Sequence, residues 1–169
     1  MRAILIVGPD EPAIPGSEVY VRVADNGLPA ALAPHAAGFA MSVPGGGRDV
    51  ARLGCHLAVH EAEAGLPDGS TRILALVECA AAVLALPSLV RSSPRLCGIA
   101  WDAEALARDI GTRGGRDANG TLIPPLALVR SQVLLVAAAA GVEALVAAGS
   151  DEAPLADVEA AACDGFERR

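Results

Sequence analysis

The chain has 169 residues, 53% of them hydrophobic, with 18 glycines, 12 prolines and a formal net charge of −7. All 13 basic residues are arginine, which excludes Schiff-base aldolases, lysine-bound pyridoxal phosphate and phosphate loops of the GxxxxGK type. The acidic balance argues against a nucleic-acid partner, whose phosphates need a basic surface, and the length suits one globular domain over residues 1–169.

Short β-rich runs alternate with longer alanine-rich stretches, the pattern of repeated βα units around a parallel sheet. Strands are expected at residues 3–7, 18–23, 38–43, 72–77, 96–101 and, more weakly patterned, 142–146. Each is short and almost continuously apolar, as expected where helices cover a parallel sheet. Helices are expected at 29–37, 49–65, 80–92, 103–110, 125–140 and 155–164. In the second and fifth, apolar residues recur at three- and four-residue spacing over several turns. Breakers cluster at 8–16, 43–47, 66–70, 112–125 and 149–154, and the TRGGRDANG segment among them reads as a mobile surface loop.

The opening MRAILIVGPDEP reaches Asp10 and Glu11 too early for a secretory signal and lacks a small-residue cleavage pattern. The apolar stretch 133–142 falls short of the roughly 18 residues of a membrane span. Cys55, Cys79, Cys97 and Cys163 are widely separated with no CxxC pair, so they read as buried thiols in a reducing cytoplasm. A soluble cytoplasmic protein without membrane contact is the expectation.

Ligands of parallel α/β folds lie at the carboxyl ends of the strands, so the residues that end each apolar run matter most. Arg22 interrupts Val19-Tyr20-Val21-Arg22-Val23. A guanidinium there is expensive to bury unless an anion faces it, whether a ligand or a structural carboxylate. Glu78 ends Ile73-Leu74-Ala75-Leu76-Val77 and precedes an alanine series, which suits a metal ligand or an acid–base group. Asp102 and Glu104 follow the next strand in the same way. Two neighbouring strands that both end in acid offer oxygen ligands to a hard divalent cation. Asp102 is equally well placed to cap the helix that follows it.

Other features are less specific. His56 and His60, with Glu61 and Glu63, share a helix and reach toward a common point, but so short a motif is weak. His35 is isolated and reads as a helix-end residue. Pro44-Gly45-Gly46-Gly47-Arg48 suits either a phosphate-cradling turn or a plain strand-to-helix turn. Ser42, Ser70 and Ser131 lack an elbow motif, which leaves a hydrolase triad little support.

The stretch from Ile73 to Ala144 resembles the citrate lyase beta-subunit-like family, also called the HpcH/HpaI aldolase family. LALVECAAAVLALPSLVRSSPRLCGIAWDAEALARDIG is similar to its strand, Glu, helix and "prRl.gl.fGaeDla.dlG" run, and GRDANG with LALVRSQVLLVAAAAGVEAL is similar to the next loop and helix. Upstream, VYVRVADNG resembles the strand that ends in Arg-x-Asn, and FAMSVPGGGRDV resembles "lPKves.adv".

The resemblance implies a TIM-barrel-like (β/α) repeat that binds Mg²⁺ and acts as a carbon–carbon lyase on a 3-hydroxyacyl-CoA thioester or related oxo acid. By position it implies Arg22 and Glu78 as the catalytic and substrate-binding residues, with Glu78 as the first metal ligand. The family's second metal carboxylate falls on Ala105, so Asp102 would have to replace it from three residues earlier. Gly45 stands at the family's lysine, Ala24 at its asparagine and Val146 at a strand-ending aspartate. About six of the barrel's eight strands are recognised, so the alternative expectation is a non-catalytic relative. That relative would serve as a binding or scaffold subunit, pairing its open strand edges with another copy or a partner subunit.

Overall fold

A computed structural model describes residues 4–8, 18–23 and 36–146. Its described elements, in chain order, are β1 (Ile4–Val7), β2 (Glu18–Val23), β3 (Ala36–Ser42), α1 (Gly47–Ala64), β4 (Arg72–Val77), α2 (Ala80–Ala85), β5 (Leu96–Trp101), α3 (Ala103–Asp109), α4 (Pro124–Ala140) and β6 (Glu143–Val146). The six strands form one sheet in the order β1-β2-β3-β4-β5-β6, and every pair is parallel. Sequential order with parallel pairing is the progression of a (β/α) barrel.

Side chains alternate across a strand, and here the two faces have different partners. Phe39, Met41, Ile73, Ala75, Val77, Ile99 and Trp101 pack with residues of α1 and α4 such as Val50, Leu57, Leu126 and Val133. Tyr20, Ala40, Leu74, Leu76, Ala100 and Leu145 form a second cluster that contains no helix residue. This helix-free face corresponds to the interior of a barrel. Each large side chain buried on either face contributes about 1.5–3 kcal/mol of transfer free energy. On the helix-free face, Gly38 allows close approach of β4: a Cβ there would lie 2.1 Å from the Arg72 carbonyl oxygen.

α1 is amphipathic, with Val50, Leu53, Leu57 and Glu61 on its buried stripe. It ends at Gly65 in the left-handed region (φ 67°), where the Leu66 amide donates to the Glu61 carbonyl at 2.8 Å, as in a Schellman motif. The expected helix over 80–92 is broken: α2 stops at Ala85 and a 3-10 turn spans Leu86–Leu89. Pro87 supplies the reason, since it has no N–H to continue the α-helical ladder. Residues 36 and 37, expected as the end of a helix, instead begin β3. The rest of that helix (29–35), the helix at 155–164, His35 and Cys163 lie outside the described residues.

At the amino ends of the strands, Glu61 is only 1% exposed and Arg95 6%. Arg95 donates from Nη1 to Glu61 Oε1 at 2.8 Å and from Nη2 to Asp68 Oδ1 at 2.5 Å. The Thr71 and Gly69 amides donate to Glu61 at 2.7 and 2.9 Å, and Ser70 Oγ at 3.1 Å. Burial pushes the Glu61 carboxyl up, but the hydrogen bonds from Arg95, then Thr71 and Gly69, overcome it and bring the pKa down to about 2. The Arg95 guanidinium is held above its ordinary value, chiefly by the hydrogen bond to Glu61 and against the effect of burial. The cluster ties α1 to the starts of β4 and β5.

Candidate functional site

The opposite, carboxyl end carries the candidate site. Arg22, Glu78 and Asp102 each lie two residues beyond a member of the helix-free cluster: Tyr20, Leu76 and Ala100. Two-residue steps keep a side chain on one face of a strand, so all three are directed to the barrel-interior side. Val77 is the register partner of Trp101, and the Asp102 amide extends that ladder by donating to the Val77 carbonyl at 3.1 Å. Glu78 and Asp102 therefore leave neighbouring strands side by side, where strands are about 4.8 Å apart.

Arg22, 56 residues from Glu78 in sequence, spans from β2 over β3 to reach it. Its Nη2 donates to both carboxylate oxygens, at 2.5 Å to Oε1 and 2.6 Å to Oε2. The Arg22 side chain is 52% exposed and that of Glu78 13%, so the pair sits at a mouth, with the carboxylate on the inner side. Of the two readings of Arg22, the carboxylate that faces it within the chain is the other principal site candidate.

Asp102 is the N-cap of α3. Its Oδ1 accepts from the Glu104 and Ala105 amides, both at 2.9 Å, which satisfies two donors that the first helical turn leaves unpaired. The capping uses one of its two oxygens. Ala105 offers only a methyl group, so the acids at this strand end are Asp102 and Glu104, the latter in the first turn of α3.

Asp109, at the end of α3, adds a further carboxylate contact near this end of the sheet. Its Oδ2 accepts from the Ala80 amide at 2.7 Å, at the first residue of α2 and two positions after Glu78. The carboxylate thus joins the end of α3 to the start of α2. No local pattern announces a cap supplied from 29 residues away.

Magnesium is commonly held by one or two carboxylates, with waters and substrate oxygens completing its octahedron. Glu78 and Asp102 fit such a two-carboxylate set by donor chemistry and by strand register. Among the described residues no group of three or more His, Cys, Asp or Glu side chains is placed to hold a metal, so an ion here relies on water and substrate for most of its ligands.

Three other sequence features resolve differently. In the PGGGR turn, Gly45 N–H donates to Asp49 Oδ2 at 2.6 Å, Gly47 N–H to Ser88 Oγ at 2.8 Å and Gly46 N–H to the Val43 carbonyl at 2.9 Å. With its amides engaged and the buried Asp49 beside them, this is a packed strand-to-helix turn. The histidine helix gathers no metal set among the described residues, because Glu61 is committed to Arg95. The expected burial of the thiols is corrected: Cys55 is exposed on α1, and Cys79 and Cys97 are half-buried.

The segment expected as a mobile loop is tied down internally. Asp117 Oδ1 accepts from the Asn119 and Thr121 amides at 2.9 and 3.0 Å, and Arg116 Nη1 donates to the Gly120 carbonyl at 2.6 Å. Among the described residues no helix is long and apolar enough to cross a membrane.

Solved structures with this arrangement include malate synthase of Haloferax volcanii in a lead(II) complex, at 18% identity and a TM-score of 0.68, covering 96% of this chain and 58% of that one. RipC from Yersinia pestis has 18% identity and a TM-score of 0.65, covering 96% of this chain and 80% of that one. CitE from Mycobacterium tuberculosis, in complex with magnesium and pyruvate, has 23% identity and a TM-score of 0.65, covering 93% of this chain and 63% of that one. The chain thus spans less than two thirds of the malate synthase and of CitE. No curated protein sequence matches it. A sequence profile does match, over residues 15–166: the chain belongs to the HpcH/HpaI aldolase/citrate lyase family.

Proposed function

We propose that the chain is a Mg²⁺-dependent carbon–carbon lyase of the citrate lyase beta type, acting on a 3-hydroxyacyl-CoA thioester or a related oxo acid by retro-Claisen or retro-aldol cleavage. The observation that carries this reading is the meeting of Arg22 and Glu78 at the carboxyl ends of the strands, with Asp102 beside Glu78. Glu78 and Asp102 would hold the ion. When bound, Mg²⁺ supplies a Lewis acid that polarises the oxygens of the oxo acid. Arg22 binds the substrate carboxylate through its planar fork and adds positive charge where negative charge develops. No lysine is required by this chemistry, in keeping with the composition. The magnesium and pyruvate of the CitE complex support this choice of ion and substrate class.

Calorimetric titration with Mg²⁺ plus glyoxylate or oxaloacetate tests the proposal. Binding by the wild type that is lost in Glu78→Ala supports it, whereas absent binding, or binding unchanged in that variant, removes it. The second reading is a non-catalytic binding or scaffold subunit, favoured by the methyl group at Ala105 and by β1 and β6 as the edges of the described sheet. A well-folded protein that sediments as a monomer would remove the edge-pairing rationale.

A further inference from the structure

We infer that the Arg22–Glu78 contact is an internal clasp that makes the cation and the carboxylate anion bind as a coupled pair. The inference rests on the assignment of Glu78 to Mg²⁺ and of Arg22 to the substrate carboxylate. Arg22 directs a single nitrogen at both Glu78 oxygens, at 2.5 and 2.6 Å. Those two oxygens are the ones Glu78 would offer to a metal, and that nitrogen is one the arginine would offer to a substrate. The clasp therefore engages both oxygens of Glu78 and one of the two terminal nitrogens of Arg22.

The charges decide how the clasp opens. A divalent cation arriving alone must take Glu78 from Arg22, and it leaves the guanidinium beside a like charge. An anion arriving alone that takes both terminal nitrogens of Arg22 leaves a carboxylate of 13% exposure without its counter-ion. When both arrive, Mg²⁺ replaces Arg22 at Glu78 while the anion replaces Glu78 at Arg22, so neither charge is stranded. The clasp thus suppresses binding of either ligand alone and favours the pair. Thermodynamic linkage makes the effect reciprocal: glyoxylate raises Mg²⁺ affinity by the same factor by which Mg²⁺ raises glyoxylate affinity.

The test is calorimetric titration of wild type, Arg22→Gln and Arg22→Lys with MgCl₂ alone, sodium glyoxylate alone and MgCl₂ in saturating glyoxylate. Arg22 is half-exposed, and circular dichroism checks that each variant folds. Arg22→Gln should bind Mg²⁺ alone about fivefold more tightly than wild type, the factor that corresponds to losing a competing ion pair of ordinary strength. Arg22→Lys keeps the charge and should remain near wild type for Mg²⁺ alone. Direct chelation of Mg²⁺ by glyoxylate persists in Arg22→Gln, so the fall in mutual enhancement from wild type to that variant measures the clasp. Equal or weaker Mg²⁺ binding in Arg22→Gln, with the enhancement unchanged, overturns the clasp while leaving the metal site standing. Absence of Mg²⁺ binding in all three proteins, with and without glyoxylate, overturns the metal site and the clasp with it.

Discussion

Replacing Glu61 by Gln removes one charge from the cluster at the amino ends of the strands and leaves Arg95, 6% exposed, with Asp68 as its remaining acid. Asp68, whose side chain is 89% exposed, is a poor substitute because water screens it. Breaking a buried pair by removing one partner costs about 3–5 kcal/mol. Linkage gives a similar size: a carboxyl brought from 4.5 to about 2 by folding carries on the order of 3 kcal/mol of stability. That contribution is complete above the unfolded-state pKa of 4.5 and disappears as pH falls toward 2.

Urea unfolding followed by circular dichroism should therefore show Glu61→Gln less stable than wild type by about 3 kcal/mol at pH 7. For a chain of this size the loss corresponds to roughly 6–12 °C in Tm. The gap should narrow as pH falls below about 4.5, because protonation then removes from the wild type what the substitution has already removed. A gap below about 1 kcal/mol at pH 7, or one that stays constant down to pH 3, would refute the assignment of this stability to the ionised pair.

The carboxyl-end site makes separable predictions. Asp102→Asn preserves an N-cap and should leave urea stability within about 0.5 kcal/mol while weakening Mg²⁺ binding by calorimetry, whereas Asp102→Ala should also lose about 1 kcal/mol from the missing cap. Equal Mg²⁺ affinity in wild type and Asp102→Asn would reduce Asp102 to a capping residue. Ala105→Asp adds an acid in the first turn of α3 and should tighten Mg²⁺ binding by about tenfold, on the order of 1.4 kcal/mol; unchanged affinity would show that α3 does not present this position to the metal. Gly47→Ala places a Cβ 2.1 Å from the Ser88 carbonyl oxygen and should cost about 1–3 kcal/mol or more in a melting experiment. A wild-type Tm would contradict the close packing of α1 against the 3-10 turn.

Much of the fold was legible because its signals are local. The runs 18–23, 72–77 and 96–101 are apolar, β-branched or aromatic in character and bounded by breakers, and the strands occupy those residues. Positive-φ Gly65 and Gly141 end α1 and α4 where the sequence places helix stops. The break in α2 was also announced, by Pro87, but the alanine series around it suggested continuity. Glu61 had a readable signal: it falls on the apolar stripe of Val50, Leu53 and Leu57, where an acid requires a buried partner. Its partner, Arg95, is 34 residues away and bears no local mark.

The sequence by itself determined the βα alternation, the strand-end positions of Arg22, Glu78 and Asp102, and the exclusion of lysine chemistry, because these depend on residue type and on spacing within one element. Only the tertiary structure decided that Arg22 closes on Glu78, that Asp102 caps α3, that Asp109 caps α2, and that the glycine turn spends its amides internally. The Arg22–Glu78 and Asp109–Ala80 contacts depend on strand register and on the packing of distant segments, which no periodicity along the chain encodes, whereas the Asp102 cap and the Gly45–Asp49 bond are local contacts that settle alternatives residue type left open.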